Sequence, residues 1–229
     1  MEFTLVFRHW GFPHVTTVSR ELPVKQRTLL LATYNRGKLR ELRQLLAELP
    51  LSICDLNTFP SIQPVPETGE TFLENARLKA IGYSKQTKLL TLADDSGLEV
   101  DALAGAPGVR SARYSHESAS DADRTSKLLS ELSGVRAGER TARFVSVIAI
   151  ADQDGQIIHV SKGTCEGRIA DAPKGSGGFG YDPIFIPAGL DQTFAELQTE
   201  LKNRISHRAR AFAGAYQFLR GLTGSLEAG

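Results

Sequence analysis

Short apolar runs of strand length alternate with helix-length patterns along roughly the first 135 residues. The run Thr28–Thr33 is bounded by polar residues, which is typical of a buried strand, and leucines at helical spacing follow it up to Leu49. A second strand-like run, Leu51–Asp55, precedes a further helical pattern. Later, the apolar run Arg143–Ile150 leads through a turn, Asp152–Gly155, into another strand, which predicts a hairpin. This order of elements predicts an α/β fold with a mixed sheet.

Composition restricts the class of protein without identifying it. The chain has 229 residues, of which 41% are hydrophobic and 23% charged, so it suits one large domain or two closely packed lobes. A formal net charge of +1 gives no support for a nucleic-acid partner, whose binding face would be strongly basic. Cys54 and Cys165 have no metal-ligand spacing, so reduced thiols and a cytoplasmic location are expected. No apolar run approaches the roughly 18 residues that cross a bilayer, so no membrane partner is expected.

Residues 1–26 differ in character from the rest of the chain. Met1–Trp10 is rich in aromatic residues and lacks the long apolar core and the small-residue cleavage site of a signal peptide. An added strand, a poorly ordered arm and an upstream start codon all remain open as explanations. We therefore divide the chain into an extension of unknown role over residues 1–26, one α/β domain over residues 27–222 and a tail over residues 223–229.

Two adjacent carboxylates, Asp94 and Asp95, follow the apolar run Lys88–Ala93. Ser96–Gly97 is predicted to turn the chain directly after them, and an extended basic segment, Ser111–Tyr114, is predicted after a further Gly/Pro turn. Because Mg²⁺ is usually held by one or two carboxylates plus substrate phosphates, a magnesium site is one interpretation of the two acids. The alternative is that they only solvate the end of a strand and initiate a turn.

The polar segment Thr33–Lys38 falls in a predicted strand-to-helix turn. Free backbone N–H groups and the helix dipole favour a phosphate at such a turn, and Lys38 adds a mobile point charge. The segment is not a Walker loop, because the glycine and lysine spacing of that motif is absent. In the alternative interpretation, Asn35 only caps the helix and Lys38 is solvated.

The loop that precedes the second helix contains an acid, Glu67, with no evident structural role. Thr71 and Glu74 have the spacing of a capping box, which assigns Glu74 to the start of the helix. Glu67 lies ahead of that helix and is therefore free to be a second acidic ligand.

A glycine-rich segment, Lys174–Pro183, precedes the predicted strand Pro183–Ile186. Its glycines permit a close approach of the backbone to a ligand, and its aromatic residues Phe179 and Tyr181 could stack on a base. No dinucleotide-binding fingerprint surrounds the segment. The alternative is a flexible turn that leads into the strand.

The last helix is predicted to begin after Ser206, which is a good N-cap residue. His207 and Arg208 would then lie in the first turn, where cations oppose the helix dipole. A local conflict of this kind marks a candidate functional site. A phosphate or a base carbonyl is the expected partner of these two residues.

Taken together, these stretches resemble the inosine triphosphate pyrophosphatase family, whose members are also called Ham1-like proteins. The resemblance runs from about Leu29 to Leu219. It rests on five blocks in the family's order: Thr33–Lys38, Glu67–Lys79, Ala93–Tyr114, Gly177–Pro183 and Ser206–Arg208. Each block alone is modest, but five in the right order are highly specific. One departure is Tyr34, because many bacterial members have glycine there.

The resemblance implies a two-lobed α/β protein with a long central mixed sheet, a nucleotide site in the cleft between the lobes, and a homodimer. It also implies Mg²⁺-dependent hydrolysis of dITP, ITP and XTP to the monophosphate and pyrophosphate, which removes deaminated purines from the nucleotide pool. Matched by position, Asp95 is the implied proton acceptor and, with Glu67, a metal ligand, while Asp94 is a further candidate ligand. The implied substrate-binding residues are Thr33, Tyr34, Asn35, Arg36, Gly37, Lys38, Lys79, Ser96, Phe179, Gly180, Tyr181, Asp182, Lys202, His207 and Arg208.

Two other hypotheses keep the nucleotide site but change the function. A Maf-like protein would cleave a different bond or act on other bases, and the Ser206–Arg208 block, which suits a 6-oxopurine, argues against it. A non-catalytic nucleotide-binding module would be favoured by a missing acid, whereas Glu67, Asp94 and Asp95 are all present.

Overall fold

The computed structural model describes residues 27–116 and 118–224, so the predicted extension 1–26 and the end of the predicted tail lie outside the described residues. Within these ranges, one sheet contains six strands: β1 (Thr28–Leu31), β2 (Ser52–Asp55), β3 (Leu90–Val100), β4 (Thr141–Ala151), β5 (Ile157–Ile169) and β6 (Phe185–Pro187). The helices of the same ranges are α1 (Arg36–Leu45), α2 (Phe72–Thr87), α3 (Asp121–Glu131), α4 (Thr199–Ile205) and α5 (His207–Gly224).

The strand order is β2-β1-β3-β4-β5-β6. Strand β1 is parallel to β2 and β3, because α1 and α2 return the chain to the same end of the sheet. The remaining neighbours pair antiparallel, and the predicted hairpin joins β4 to β5. The predicted α/β fold with a mixed sheet is confirmed. Among the described helices, none is long and apolar enough to span a membrane.

The protein has two lobes, which are defined by three buried apolar clusters packed on the sheet. In the first lobe, one cluster lies under α1 and α5 and includes Leu29 and Leu92, while another lies under α2 and includes Leu30 and Ala93. These assignments follow from the two-residue period of side chains along a strand. In the second lobe, α3, β6 and the far ends of β3 to β5 enclose the third cluster, which includes Leu98. Strand β3 therefore crosses from one lobe to the other.

Strand β3 also continues through the segment that was predicted to turn, so that prediction is wrong. Ser96–Gly97 pair with Val145–Ser146 of β4. A Cβ added to Gly97 would lie 2.4 Å from Ser111 Oγ and 2.5 Å from the Gly108 carbonyl oxygen. The glycine is therefore explained by the close approach of a neighbouring segment within the strand, and not by a turn.

Two other predicted boundaries differ from the structure. The basic segment Ser111–Tyr114 is not extended, because Gly108–Arg113 forms a 3-10 helix that packs on β3. The strand expected over Pro183–Ile186 begins only at Phe185, after a single 3-10 turn over Asp182–Ile184. Both differences place a turn where the sequence pattern predicted extended chain.

The caps predicted for α2 and α5 are confirmed. Thr71 and Glu74 form a capping box at the start of α2, and a further capping box at Ser120 begins α3. At the start of α5, Ser206 Oγ accepts a hydrogen bond from Ala209 N at 3.2 Å. Each cap satisfies a backbone N–H group that has no partner inside its helix.

Candidate active site

A cavity of about 280 Å³ lies at the junction of the two lobes. It is lined by the turn after β1, the middle of β3, the 3-10 helix Gly108–Arg113, the loop around Phe179 and the start of α5. All the predicted site residues line it except Arg36, Gly37 and Asp94. Tertiary folding therefore gathers five blocks that are far apart in the sequence around one space.

Lys79, from α2, joins the two acids that the resemblance assigns to the metal. Its Nζ lies 2.8 Å from Asp95 Oδ1 and 3.2 Å from Glu67 Oε2, and it donates to the Asp94 carbonyl oxygen at 3.0 Å. Burial lowers the pKa of Lys79, but the charges of Asp95 and Glu67 outweigh this effect and raise it, so the side chain stays cationic. Glu67 is therefore held through one oxygen and is not as free as the sequence suggested.

Asp95 has a carboxylate oxygen without a partner among the described residues. Its Oδ2 is buried and accepts no hydrogen bond from them, whereas Oδ1 accepts one from Lys79. Burial raises the pKa of Asp95 to about 6, although Lys79 and Lys38 favour the charged form. For Glu67, burial also acts to raise the pKa, but the charges of Lys79 and Lys38 and hydrogen bonds to the side chain together outweigh it and lower the pKa. A buried carboxylate oxygen that lacks a protein donor can coordinate a cation or accept a hydrogen bond from a water molecule.

Asp94 points to the other face of β3, and both of its carboxylate oxygens have partners. Ser146 Oγ donates to Oδ1 at 2.5 Å, and Lys38 Nζ lies 2.9 Å from Oδ2. Ser96 Oγ and Arg208 Nε also approach Oδ2, at 3.1 and 3.5 Å. Burial acts to raise the pKa of Asp94, but Lys38 and Arg208 hold it well below its usual range. The interpretation that the two acids only solvate a strand end is wrong, because both are buried within β3.

The segment Thr33–Lys38 forms the predicted turn between β1 and α1. Asn35 Oδ1 accepts a hydrogen bond from Lys38 N at 3.0 Å, so Asn35 does cap the helix. Lys38 is not merely solvated, because its ammonium forms the ion pair described above. A Cβ added to Gly37 would lie 2.6 Å from the Phe179 ring, which shows that this turn packs directly against the glycine-rich loop.

Glu41 of α1 is a central residue that the sequence prediction missed. It is only 6% exposed, and it forms ion pairs with Lys202, at 2.8 Å, and with Arg208. Lys202 also pairs with Asp182. Burial acts to raise the pKa of Glu41, but Arg208 and Lys202 outweigh it and lower the pKa. Glu41 lies one helical turn after Lys38, and this spacing was the signal in the sequence that could have placed it on the same face of α1 as Lys38.

Phe179 presents its ring to two cations at the cavity. Lys202 Nζ lies 5.0 Å and Arg208 Cζ 5.5 Å from the ring centroid. Tyr181 is buried in the second lobe, and its hydroxyl donates to the Ser111 carbonyl oxygen at 3.0 Å. Phe179 is therefore the half-buried aromatic ring that this loop presents to the cavity, whereas the Tyr181 ring is buried and its hydroxyl is bonded to the protein.

The conflict predicted at the start of α5 is relieved within the protein. His207 stacks on Phe144 with ring centroids 4.6 Å apart, and burial together with the Arg208 charge keeps its pKa well below the usual value. The imidazole is therefore neutral. The Arg208 charge is compensated by Glu41 and Asp94. An external phosphate is not required to explain either residue, although His207 Nδ1 is buried and has no hydrogen-bond partner in residues 27–116 and 118–224.

A family model described as the Ham1 family matches residues 29–218, which is most of the chain. This chain belongs to the Ham1 family. A relative from Desulforamulus reducens named dITP/XTP pyrophosphatase is 50% identical over 194 residues, which cover 85% of this chain and 96% of the relative. The protein of the same name from Geobacter sulfurreducens is 51% identical over 185 residues, covering 81% and 92% of the two chains.

Solved structures of Ham1 proteins share the fold. The Ham1 protein of Staphylococcus aureus superposes with a TM-score of 0.75 at 40% identity, over 85% of this chain and 99% of the other. A nucleoside-triphosphatase / dITP/XTP pyrophosphatase from Mycobacterium abscessus gives 0.66 at 44% identity, over 82% and 98%. The predicted family and its α/β fold are confirmed, and these relatives do not favour the Maf-like or the non-catalytic alternative.

The cavity of this Ham1 protein also has lining residues on the second lobe that the sequence prediction did not assign. Ser111 and Arg113 come from the 3-10 helix, and Arg124 comes from α3. Ser111 and Arg113 belong to a block that carried the resemblance, but their assignment to an extended segment gave no reason to place them at the cavity. The short helix places both residues in the cavity wall.

Proposed function

We propose that this chain is an Mg²⁺-dependent pyrophosphatase that hydrolyses dITP, ITP and XTP to the nucleoside monophosphate and pyrophosphate. The activity would remove deaminated purines from the nucleotide pool. The observation that carries the proposal is Asp95, a buried carboxylate with one unpartnered oxygen in a cavity that cations line. The name dITP/XTP pyrophosphatase, borne by relatives that are about half identical to this chain, supports the substrate class.

The acids fit a magnesium ion that protein and substrate hold jointly. Mg²⁺ is usually bound by one or two carboxylates together with substrate phosphates. We assign the ion to Asp95 and Glu67, and not to Asp94, whose oxygens already accept protein donors. When bound, the ion would neutralise negative charge on the phosphates.

Asp95 is proposed to accept the proton of the attacking water. As the water oxygen bonds to the α-phosphorus, its proton passes to the carboxylate, the bond from the α-phosphorus to the bridging oxygen breaks, and pyrophosphate leaves. A pKa of about 6 keeps Asp95 ionised near neutral pH while it remains basic enough to take the proton. Lys79 orients the carboxylate through Oδ1, which leaves Oδ2 available.

The phosphates are proposed to bind at the turn Thr33–Lys38, together with Lys79 and Ser96. The start of α1 supplies backbone N–H groups and the positive end of a helix dipole there. The base and sugar are proposed to lie on the other side, against Phe179, Gly180, Tyr181, Asp182, Lys202, His207 and Arg208. This division agrees with the packing of Gly37 on Phe179, which brings the two subsites next to each other.

Arg208 is proposed to favour 6-oxopurines, because its guanidinium offers only donors and adenine carries an amino group at that position. A mismatch of buried donors can discriminate by about 10⁴-fold, so the effect is large enough to be decisive. We expect Arg208→Ala to erode the preference for dITP over dATP, measured as the ratio of the two kcat/KM values, by about tenfold or more. The ratio is independent of the folded fraction. An equal loss on both substrates would assign Arg208 to the phosphates or to folding.

Product analysis tests the proposed function directly. Purified protein with MgCl₂ would be given dITP, XTP, dATP and dGTP in parallel, with Asp95→Asn as the control for contaminating phosphatases. Monophosphate and pyrophosphate are expected from dITP and XTP, with little product from dATP and dGTP. Release of orthophosphate, or indifference to the base, would contradict the proposal.

We also propose a single catalytic domain over residues 27–222, a homodimer and a cytoplasmic location. The family resemblance supports the single domain and the homodimer, and the two cysteines without metal-ligand spacing support the cytoplasmic location. The net charge of +1 supports the absence of a nucleic-acid partner. Light scattering after gel filtration is expected to give twice the chain mass of 24.9 kDa. A monomer at micromolar concentration would contradict the dimer.

A further inference from the structure

Arg113 is a cavity-lining cation that the ion pairs described above do not include. Within residues 27–116 and 118–224, six lysine and arginine side chains line the cavity: Lys38, Lys79, Arg113, Arg124, Lys202 and Arg208. Five of them form ion pairs with carboxylates. The guanidinium of Arg113 has no hydrogen bond or ion pair with any described residue. It is therefore the cation that can meet a ligand without first leaving a protein partner.

The charge of the other five cations is compensated inside the protein. Their partners are Glu41, Glu67, Asp94, Asp95, Asp121 and Asp182. A triphosphate brings several further negative charges into this partly buried space, and an uncompensated buried charge is costly. A bound divalent cation would compensate only part of that charge. An additional unpaired cation would compensate a further part of the negative charge of the triphosphate.

The backbone that carries Arg113 is firmly attached to β3. The 3-10 helix Gly108–Arg113 packs on Gly97, and its Ser111 Oγ accepts a hydrogen bond from Leu98 N at 2.9 Å. The Tyr181 hydroxyl holds the same helix from the other side. Arg113 therefore starts from a fixed position in the second lobe, whereas Lys38 and Lys79 start from helices of the first lobe.

We propose that Arg113 is a further substrate-binding residue, which contacts the phosphate chain from the second lobe. The identity of the substrate rests on the proposed function, while the binding of a polyphosphate can be tested without it. A guanidinium presents a planar fork of N–H donors that matches two phosphate oxygens, and it remains charged throughout the physiological pH range. The phosphates would thereby contact cations from both lobes.

Calorimetric titration with inorganic tripolyphosphate in MgCl₂ tests this contact. Arg113→Gln is expected to weaken binding by about tenfold or more, the loss expected when a hydrogen bond between charged groups is removed. Arg113→Lys should give an intermediate loss, because it keeps the charge but not the fork. Arg110→Gln is the matched control, since Arg110 is an exposed arginine of the same 3-10 helix that does not line the cavity. It should bind tripolyphosphate as the wild type does.

Deoxyinosine, which has no phosphate, provides the second measurement by NMR titration. Arg113→Gln should leave its affinity unchanged. Equal tripolyphosphate affinities for Arg113→Gln and Arg110→Gln would overturn the proposal, and so would a joint loss of tripolyphosphate and deoxyinosine binding, which would indicate a structural disturbance. If Arg113 supports tripolyphosphate binding but the wild type hydrolyses no dITP, the proposed function fails while the role of Arg113 stands.

Discussion

The two faces of strand β3 carry neighbouring carboxylates that the protein holds in opposite ways. On the face towards α5, Asp94 has donors on both oxygens, and Lys38 and Arg208 outweigh burial and keep its pKa low. On the face towards α2, Asp95 has a partner on one oxygen, and burial raises its pKa to about 6. Both side chains are buried, so burial alone does not make a carboxylate reactive. The number of compensating donors therefore distinguishes Asp94, which is fully paired, from Asp95, which we propose takes part in the reaction.

Asp95→Asn removes the proposed proton acceptor and should have the largest effect on activity. We expect kcat/KM for dITP to fall by about 10³-fold, within the range typical of a lost general base. The amide has the same shape as the carboxylate, so the fold should be retained. Steady-state kinetics and circular dichroism would check both points. Turnover near the wild-type level would exclude Asp95 from the proposed role.

The same substitution should not destabilise the protein. Because the pKa of Asp95 is higher in the folded protein than its usual value of 3.8, ionisation disfavours the folded state. This cost grows as the pH rises from 3.8 to about 6 and is fully present above that. At pH 8 without Mg²⁺, the thermal midpoint of Asp95→Asn is therefore expected at or above that of the wild type. A lower midpoint would mean that the Lys79 ion pair stabilises the fold more than burial costs.

Asp94→Asn tests the fully paired carboxylate, and its main effect should be on the stability of the fold. The variant leaves the Lys38 and Arg208 charges beside a neutral amide, and removing one partner of a buried pair typically costs about 3–5 kcal/mol. Because the pKa of Asp94 is lowered, its contribution to stability is present above its usual value of 3.8 and is lost as the pH falls through the folded-state pKa.

Urea unfolding of the substrate-free protein at neutral pH measures this loss. Asp101→Asn is the matched control, because Asp101 is an exposed acid that pairs with Arg143 and should cost less than about 1 kcal/mol. If Asp94→Asn lowers the free energy of unfolding no more than Asp101→Asn does, the ion pairs of Asp94 do not stabilise the fold as proposed.

The pH dependence of kcat/KM sharpens the comparison on the Asp95 side. At low MgCl₂, the rate should fall about tenfold per pH unit below an apparent pKa near 6, as Asp95 takes up a proton. Higher MgCl₂ should move the midpoint to lower pH, because a nearby cation favours the ionised carboxylate. A midpoint that does not respond to MgCl₂ would argue against Asp95 as a metal ligand.

Ser146→Ala should have the smallest effect, because it removes one donor from Asp94 and leaves the cations in place. A lost hydrogen bond to a charged group typically costs about 1.5–3 kcal/mol, so urea unfolding should show a loss in that range and activity should be largely retained. Ser161→Ala is the control on β5, since its buried Oγ has no partner among the described residues. Equal losses for the two serines would mean that the Ser146 hydrogen bond contributes little.

Much of the local structure could be predicted from the sequence, because its causes lie within a few residues. The capping box of Thr71 and Glu74 and the Asn35 cap depend on side chains three residues from the groups they satisfy. The hairpin between β4 and β5 is closed by the short segment Asp152–Gly155. The order of the five blocks was also sufficient to predict the family that the comparisons identify.

The sequence by itself therefore predicted most of the strands and helices, the caps and most of the residues that line the cavity. Tertiary structure decided which side chains compensate one another, because those partners lie far apart along the chain. Asp94 meets Ser146 from 52 residues away and Arg208 from 114, and Arg208 meets Glu41 across 167 residues. A two-residue period predicts that Asp94 and Asp95 face opposite ways. Only the packing of α1, α5 and β4 around β3 supplies donors to both oxygens of Asp94, while one oxygen of Asp95 has no partner among the described residues.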